Sequence, residues 1–180
     1  SNASGWQVVG GWTVAPWPNT APSFVSATPG SGSGATQVFS VTITDPDGWQ
    51  DIGIVNVLIN QFLDGRHSCY VAYARVENKL YLVNDPGDAL LPPLTLNSSG
   101  SVANSQCTVY GAGSSAAGSG NNLTLILQIG FNPAYGGNKV LWLGVFLYVK
   151  ESFNRETIER YGHGTPDDWI ERNVYASHSV

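Results

Sequence analysis

Two segments of this chain alternate apolar and polar residues almost strictly. Gln37 to Thr44 reads QVFSVTIT, and Leu123 to Ile129 reads LTLILQI. A period of two places one face of a β-strand in a core and the other in water, as in antiparallel sheets. A helix cannot bury this pattern on one face, because its side chains repeat every 3.6 residues. We therefore expect an all-β protein.

Further short segments are rich in β-branched, leucine and aromatic residues and also predict strands. They are Ser23 to Thr28, Ile52 to Phe62, Cys69 to Val76, Lys79 to Asn84, Ser105 to Tyr110 and Val140 to Lys150. Turn-forming clusters separate them, and the longest cluster, Gly111 to Asn122, is interpreted as a flexible hairpin loop. A short helix is predicted at Asn154 to Tyr161. This strand count is typical of an antiparallel immunoglobulin-like β-sandwich.

The length of 180 residues is that of one domain. We expect residues 21–180 to form the sandwich, and residues 1–20 to comprise an expression scar at Ser1 to Ala3, a strand segment and a linker. Trp6 to Trp12 and Trp169 to Tyr175 each carry an aromatic pair at the same spacing. Either each is the last strand of a repeat, so that the first belongs to the end of a preceding repeat, or they are two unrelated edge strands.

The charge balance argues against nucleic acid as a partner. Eight Lys and Arg face 13 Asp and Glu, for a formal net charge of -5, so the chain cannot build the basic face that phosphate binding needs. No apolar run approaches the roughly 18 residues of a membrane span, and we expect no membrane insertion.

The chain has two cysteines, and each lies in a strand-like segment. An even number in such segments suits a disulfide between Cys69 and Cys107 in an oxidising compartment. The alternative is a pair of unrelated buried thiols.

Three segments carry a resemblance to a known kind of repeat: Leu80 to Asp85, Asn104 to Val109 and Gly118 to Leu125. They resemble a repeat of large secreted bacterial proteins of unknown or adhesive function. The resemblance implies an immunoglobulin-like or fibronectin-type sandwich, an extracellular or cell-surface location, a bridged cysteine pair and no catalytic residue. We therefore expect a structural or adhesive module whose partners are neighbouring domains of the parent protein, and possible further partners are a glycan or a surface protein.

An acidic turn, Asp45-Pro46-Asp47-Gly48-Trp49-Gln50-Asp51, follows a predicted strand. The carboxylates of Asp45, Asp47 and Asp51 offer the hard oxygen ligands that calcium prefers. The same sequence is also a good β-turn, in which Asp45 accepts hydrogen bonds from backbone amides and Pro46 presets φ. Calcium is the one cofactor that the sequence suggests.

Tryptophans give a second possible binding signal. Trp17 lies in a Pro-flanked segment and Trp49 in the acidic turn, so both are candidates for exposed rings that stack on a sugar. A carbohydrate-binding module is therefore the alternative function. Tail aromatics also commonly cover a sheet edge, and Trp142, in an apolar strand, is assigned to the core.

Catalytic motifs are missing from the sequence. The Gly-x-Ser-x-Gly elbow of hydrolases does not occur, and His67, His163 and His178 have no zinc-ligand spacing. Acidic residues cluster between Glu151 and Glu171. Two of them facing each other would suit glycoside hydrolysis, whereas a solvated acidic loop is the simpler interpretation. We expect no enzyme activity.

Overall fold

The computed structural model describes residues 11 and 19–147 of this chain, and this part is all-β, with two antiparallel sheets. The described residues contain no α-helix, and two single 3₁₀ turns lie at Trp49–Asp51 and Pro133–Tyr135. The strands are β1 (Ser23–Thr28), β2 (Thr36–Thr44), β3 (Ile52–Asn60), β4 (Cys69–Ala74), β5 (Lys79–Leu82), β6 (Leu94–Thr95), β7 (Ser101–Ala103), β8 (Cys107–Ser119), β9 (Asn122–Phe131) and β10 (Val140–Leu147).

Each sheet has five strands. The first sheet has the order β1-β2-β9-β8-β7, and the second has the order β10-β3-β4-β5-β6. At the centre of the first sheet, β2 and β9 pair without a register shift from Thr36 opposite Gly130 to Thr44 opposite Asn122. The two alternating segments of the sequence are therefore neighbouring strands.

The core lies between the two sheets, as the alternation predicts. Six inward residues of β2 and β9 are fully buried: Val41, Ile43, Leu123, Leu125, Leu127 and Ile129. They belong to one cluster with the inward residues of the second sheet, such as Val55, Val57 and Leu80. On the outer face of the first sheet, the hydroxyl oxygens of Thr42 and Thr124 lie 3.2 Å apart. The predicted antiparallel β-sandwich is confirmed.

The second sheet is apolar on both faces, which explains why its strands show little alternation. All six residues of β4 are buried. Val71 and Tyr73 face the core between the sheets, whereas Ala72 and Ala74 belong to a separate cluster on the other face, with Leu90 packed against it.

A disulfide joins the two sheets. Cys69 begins β4 and Cys107 begins β8, and their sulfurs are bonded with the Cα atoms 5.6 Å apart. Both residues are buried. The predicted bridge is confirmed, the alternative of two unrelated thiols is wrong, and the bond indicates an oxidising compartment.

The interpretation of Gly111 to Asn122 as a flexible loop is wrong, because β8 continues to Ser119. The register between β8 and β9 jumps from Tyr110 opposite Gln128 to Ser115 opposite Ile126. Inside this bulge, the Ser114 hydroxyl donates to the Tyr110 carbonyl at 2.5 Å and accepts from the Gln128 amide at 2.9 Å. Side-chain hydrogen bonds thus replace part of the ladder, so that a serine- and glycine-rich segment remains a strand.

Other sequence expectations differ in smaller ways. The short strands β6 and β7 were not predicted, and β3, β4 and β5 end before the predicted limits of Phe62, Val76 and Asn84. The predicted helix at 154–161 and both aromatic tails lie outside the described residues, as do most of residues 1–20 and all of 148–180. The described residues hold no helix of a length and apolarity suited to spanning a membrane.

Candidate metal centre

The acidic turn crosses from one sheet to the other at one end of the sandwich. Asp45 directly follows β2 of the first sheet, and Asp51 directly precedes β3 of the second sheet. Both strands hold their positions through the core, so the two carboxylates at their ends are fixed by the fold. The loop between them supplies the third acid, Asp47.

The three carboxylates converge. One oxygen from each of Asp45, Asp47 and Asp51 lies within 4.8 Å of the others. Asp45 is buried, Asp51 is partly buried and Asp47 is exposed. The structure therefore brings together all three residues that the sequence proposed as calcium ligands, and one side of the cluster faces solvent.

The β-turn that the sequence also predicted is present at the same place. The Asp47 amide donates to Asp45 Oδ1 at 2.8 Å, and the Gly48 amide donates to the Asp45 carbonyl at 3.0 Å. Gly48 has φ +108°, a conformation that other residues rarely adopt. A β-turn and a carboxylate cluster are thus compatible in one loop.

Two carboxylate oxygens in this cluster are buried without a hydrogen-bond partner among the described residues. They are Asp45 Oδ2 and Asp51 Oδ2, and Asp45 has no exposed surface. Burial raises the pKa of the Asp45 carboxyl, and the nearby charges of Asp51 and Asp47 raise it further, whereas the Asp47 amide bond lowers it. A buried and unpaired carboxylate oxygen is costly unless something compensates it.

Two other segments meet the acidic turn. The Thr20 amide donates to Asp47 Oδ2 at 2.6 Å, so the incoming chain touches the cluster. The Asp45 amide donates to the Asn121 carbonyl at 2.9 Å, and the Trp49 amide donates to the Gly120 carbonyl at 3.4 Å. Gly120 and Asn121 form the turn between β8 and β9, so three separate parts of the chain converge here.

Trp49, a proposed sugar-stacking residue, is half-buried and packs against the core. Gly118 of β8 lies against the fusion bond of its indole, since a Cβ on Gly118 would be 2.0 Å from Cδ2 and 2.3 Å from Cε2. The Arg75 guanidinium carbon is 5.9 Å from the ring centroid. Gly118 therefore covers part of the ring surface that a sugar would need. The other proposed residue, Trp17, lies outside the described residues, so glycan binding stays a prediction.

Sequence reasoning missed Asn104, which organises the other end of the sandwich. Its Nδ2 donates to the Ser68 carbonyl at 2.8 Å and to the Val83 carbonyl at 3.0 Å. Its Oδ1 accepts from the amides of Gln106 at 2.9 Å and Cys107 at 3.0 Å. The side chain thus links the residues beside both cysteines. The only signal in the sequence was an asparagine just before a strand, which is common in turns.

Asp85 supports the same corner. Its carboxylate accepts hydrogen bonds from the hydroxyl of Ser105 and, at 3.0 Å, from the amide of Ser105. The hydrogen bond from the Ser105 hydroxyl lowers the pKa of the Asp85 carboxyl most, and the bond from the Ser105 amide lowers it further. The loop after β5 is therefore tied to the segment that leads into β8.

Of the three histidines, His67 is described and His163 and His178 are not, and the acids from Glu151 to Glu171 also lie outside the described residues. No protein-family model, curated protein or solved structure matches this chain at a significant level. The resemblance to a secreted bacterial repeat therefore stays a prediction.

Proposed function

We propose that this chain is a non-catalytic structural or adhesive module of a larger extracellular bacterial protein, with the neighbouring domains of that protein as its partners. The observation that carries the proposal is the buried Cys69–Cys107 bond between the two sheets. Disulfides form and persist in the oxidising environment outside the cell, and a covalent link across the core preserves the shape of the domain there.

The position of the bond suits a role under mechanical load. It closes a loop with a sequence separation of 38, and the chain-entropy model assigns such a bridge about 3 to 4 kcal/mol of stability. Because both sulfurs lie in the core, soluble thiols reach them only when the sheets separate. The hydrogen bonds of Asn104 hold the backbone beside both cysteines in place.

The proposal is tested by unfolding the oxidised protein and a Cys69→Ala, Cys107→Ala double variant. We expect the double variant to lose about 3 to 4 kcal/mol in a urea titration. Reductant should lower the stability of the parent protein to nearly the same value, and it should leave the double variant unchanged, which serves as the control. Equal stability of the two proteins would contradict a structural role for the bond.

Force spectroscopy adds a mechanical measurement. When the chain is pulled from both termini, the oxidised protein should release about 130 Å less contour length than the reduced protein, because the bond shields 38 residue steps of about 3.4 Å each. Equal contour lengths would show that no intact bond joins Cys69 and Cys107 in the pulled protein.

Carbohydrate binding remains the alternative function, and a panel of polysaccharides separates the two. Tryptophan fluorescence that changes with one glycan, and no longer changes in Trp49→Phe or Trp17→Phe, would favour the alternative. A flat response across the panel leaves the structural module as the better account.

A further inference from the structure

We propose that Asp45, Asp47 and Asp51 bind one calcium ion at the end of the sandwich where the chain enters it. This inference does not rest on the proposed function, because it concerns the chemistry of the acidic turn alone. It rests on the convergence of the three carboxylates and on the unpartnered, buried oxygen of Asp45.

The distances fit a single ion. Calcium binds oxygen at about 2.3 to 2.6 Å, so two oxygens on the same ion are at most about 5 Å apart. One oxygen from each aspartate lies within 4.8 Å of the others. All three can therefore reach one ion without a rearrangement of β2 or β3, which carry Asp45 and Asp51 at their ends.

The buried oxygens point to a missing ligand. Asp45 has no exposed surface, and its Oδ2 has no hydrogen-bond partner among the described residues. Asp51 Oδ2, in the same cluster, is also buried without a hydrogen-bond partner among the described residues. Three carboxylates packed together without a cation repel one another, whereas a divalent cation placed between them attracts all three.

Calcium fits this donor set better than the other common ions. All three donors are carboxylates, which disfavours zinc, since zinc in proteins prefers nitrogen and sulfur. Magnesium demands near-ideal octahedral geometry, whereas calcium accepts irregular shells of six to eight oxygens. The exposure of Asp47 leaves one side of the site open, so that water can complete such a shell.

The site also connects separate segments of the chain. Asp47 accepts the Thr20 amide, and Asp45 is bonded to Asn121 of the β8–β9 turn. A bound ion would fix the acidic turn, and with it the place where the chain enters the sandwich. Calcium would therefore hold the chain at Thr20 against the acidic turn.

The first test is direct binding by the full chain, with terbium as a luminescent substitute for calcium. Trp49 lies between two of the proposed ligands in the sequence, so its excitation should sensitise bound terbium. We expect calcium to displace the terbium with a Kd of about 10⁻⁴ to 10⁻³ M, the range of extracellular calcium modules. Magnesium at the same concentration should displace at least about tenfold less. Terbium that gives no sensitised signal, or that magnesium displaces as well as calcium does, would overturn the assignment.

The second test is thermal unfolding of Asp45→Asn and Asp51→Asn in chelator and in about 10 mM calcium. The parent protein should gain about 3 to 10 °C in Tm with calcium. Each variant should lose most of that gain. In chelator, Asp45→Asn should melt at or above the parent temperature, because it removes a buried charge and keeps Oδ1 for the Asp47 amide.

Asp88→Asn is the matched control, because Asp88 is an exposed acid on another loop. It should keep the full calcium shift. If Asp45→Asn fails to fold, Asp47→Asn gives the same comparison from the exposed side of the cluster. A parent protein whose Tm does not change with calcium, or variants that keep the parent shift, would overturn the proposal.

Discussion

Gly118 and Trp49 are in direct contact across the end of the sandwich, and the contact leaves no room for a side chain at position 118. A Cβ added to Gly118 would lie 2.0 Å from Cδ2 of the indole. Trp49 also packs against the core, so the ring cannot easily move away. The glycine in β8 is thus explained by steric fit to a residue of the acidic turn.

We expect Gly118→Ala to destabilise the protein by about 1 to 3 kcal/mol, the usual cost of overpacking a well-packed site. A urea titration followed by far-UV circular dichroism measures the loss. Gly32→Ala is the control, since nothing lies within 4 Å of a Cβ at that position, and it should change stability by less than about 0.5 kcal/mol. Equal effects of the two substitutions would show that the Trp49 contact is not tight in solution.

Asn104 gives a prediction in which two substitutions are compared. Asn104→Ala removes four hydrogen bonds and should cost about 2 to 4 kcal/mol. Asn104→Asp keeps the acceptor for Gln106 and Cys107, but it places a carboxylate oxygen against two carbonyl oxygens. At pH 7 it should therefore be at least as destabilising as alanine.

Protonation distinguishes the two variants, because the carboxyl group introduced by Asn104→Asp regains one donor when it becomes neutral. The aspartate variant should gain stability relative to the alanine variant as the pH falls below about 5. Urea midpoints of both variants between about pH 4 and pH 8 check this. An unchanged gap between them would mean that the donor bonds to Ser68 and Val83 contribute little.

Asp85 predicts a dependence of stability on acid. Because the bonds from Ser105 lower the folded-state pKa of Asp85, its contribution is fully present above the ordinary carboxyl pKa of about 3.9. The contribution is lost as the pH falls through the lower folded-state value. We expect Asp85→Asn to cost about 1 kcal/mol at pH 7 and to flatten the stability profile between about pH 5 and pH 2.

Asp88→Asn is the control for that experiment, since it makes the same change of charge in the same loop. Chemical unfolding across the pH range gives both profiles. If Asp88→Asn flattens the profile as much as Asp85→Asn does, general charge would explain the effect and the Ser105 bonds would not.

The alternation of apolar and polar residues predicted the strands that have one face in water. It failed for very short strands and for a strand that side-chain hydrogen bonds complete. The bounds of β1 were exact, those of β2 differed by a single residue at one end, and β9 extends the alternating segment Leu123 to Ile129 by one residue before it and two after it. β6 (Leu94–Thr95) and β7 (Ser101–Ala103) are too short to show a period. The second half of β8 was missed because Ser114 completes the ladder with its side chain, and no local pattern encodes that bond.

The candidate site was also predicted in part. Asp45, Asp47 and Asp51 were recognised because oxygen ligands for calcium are often close in sequence. Their neighbours Thr20 and Asn121 were not, since contacts between distant segments depend on how the sheets pack. Asn104 was missed for the same reason, because its partners Ser68 and Val83 lie in another sheet or beside it.

The disulfide and the acidic turn lie at opposite ends of the sandwich. On β9, Cys107 pairs with Phe131 at one end, whereas Thr44, just before Asp45, pairs with Asn122 at the other. On β3, Ile59 pairs with Cys69 and Ile52 follows Asp51. Different conditions therefore loosen the two ends. A reducing environment acts on the end with the bond, whereas the proposed calcium ion acts on the end with Asp45, Asp47 and Asp51. Separation of the sheets that starts at the acidic end would break no covalent bond until it reaches Cys69, where the disulfide holds the sheets together for as long as the protein stays oxidised.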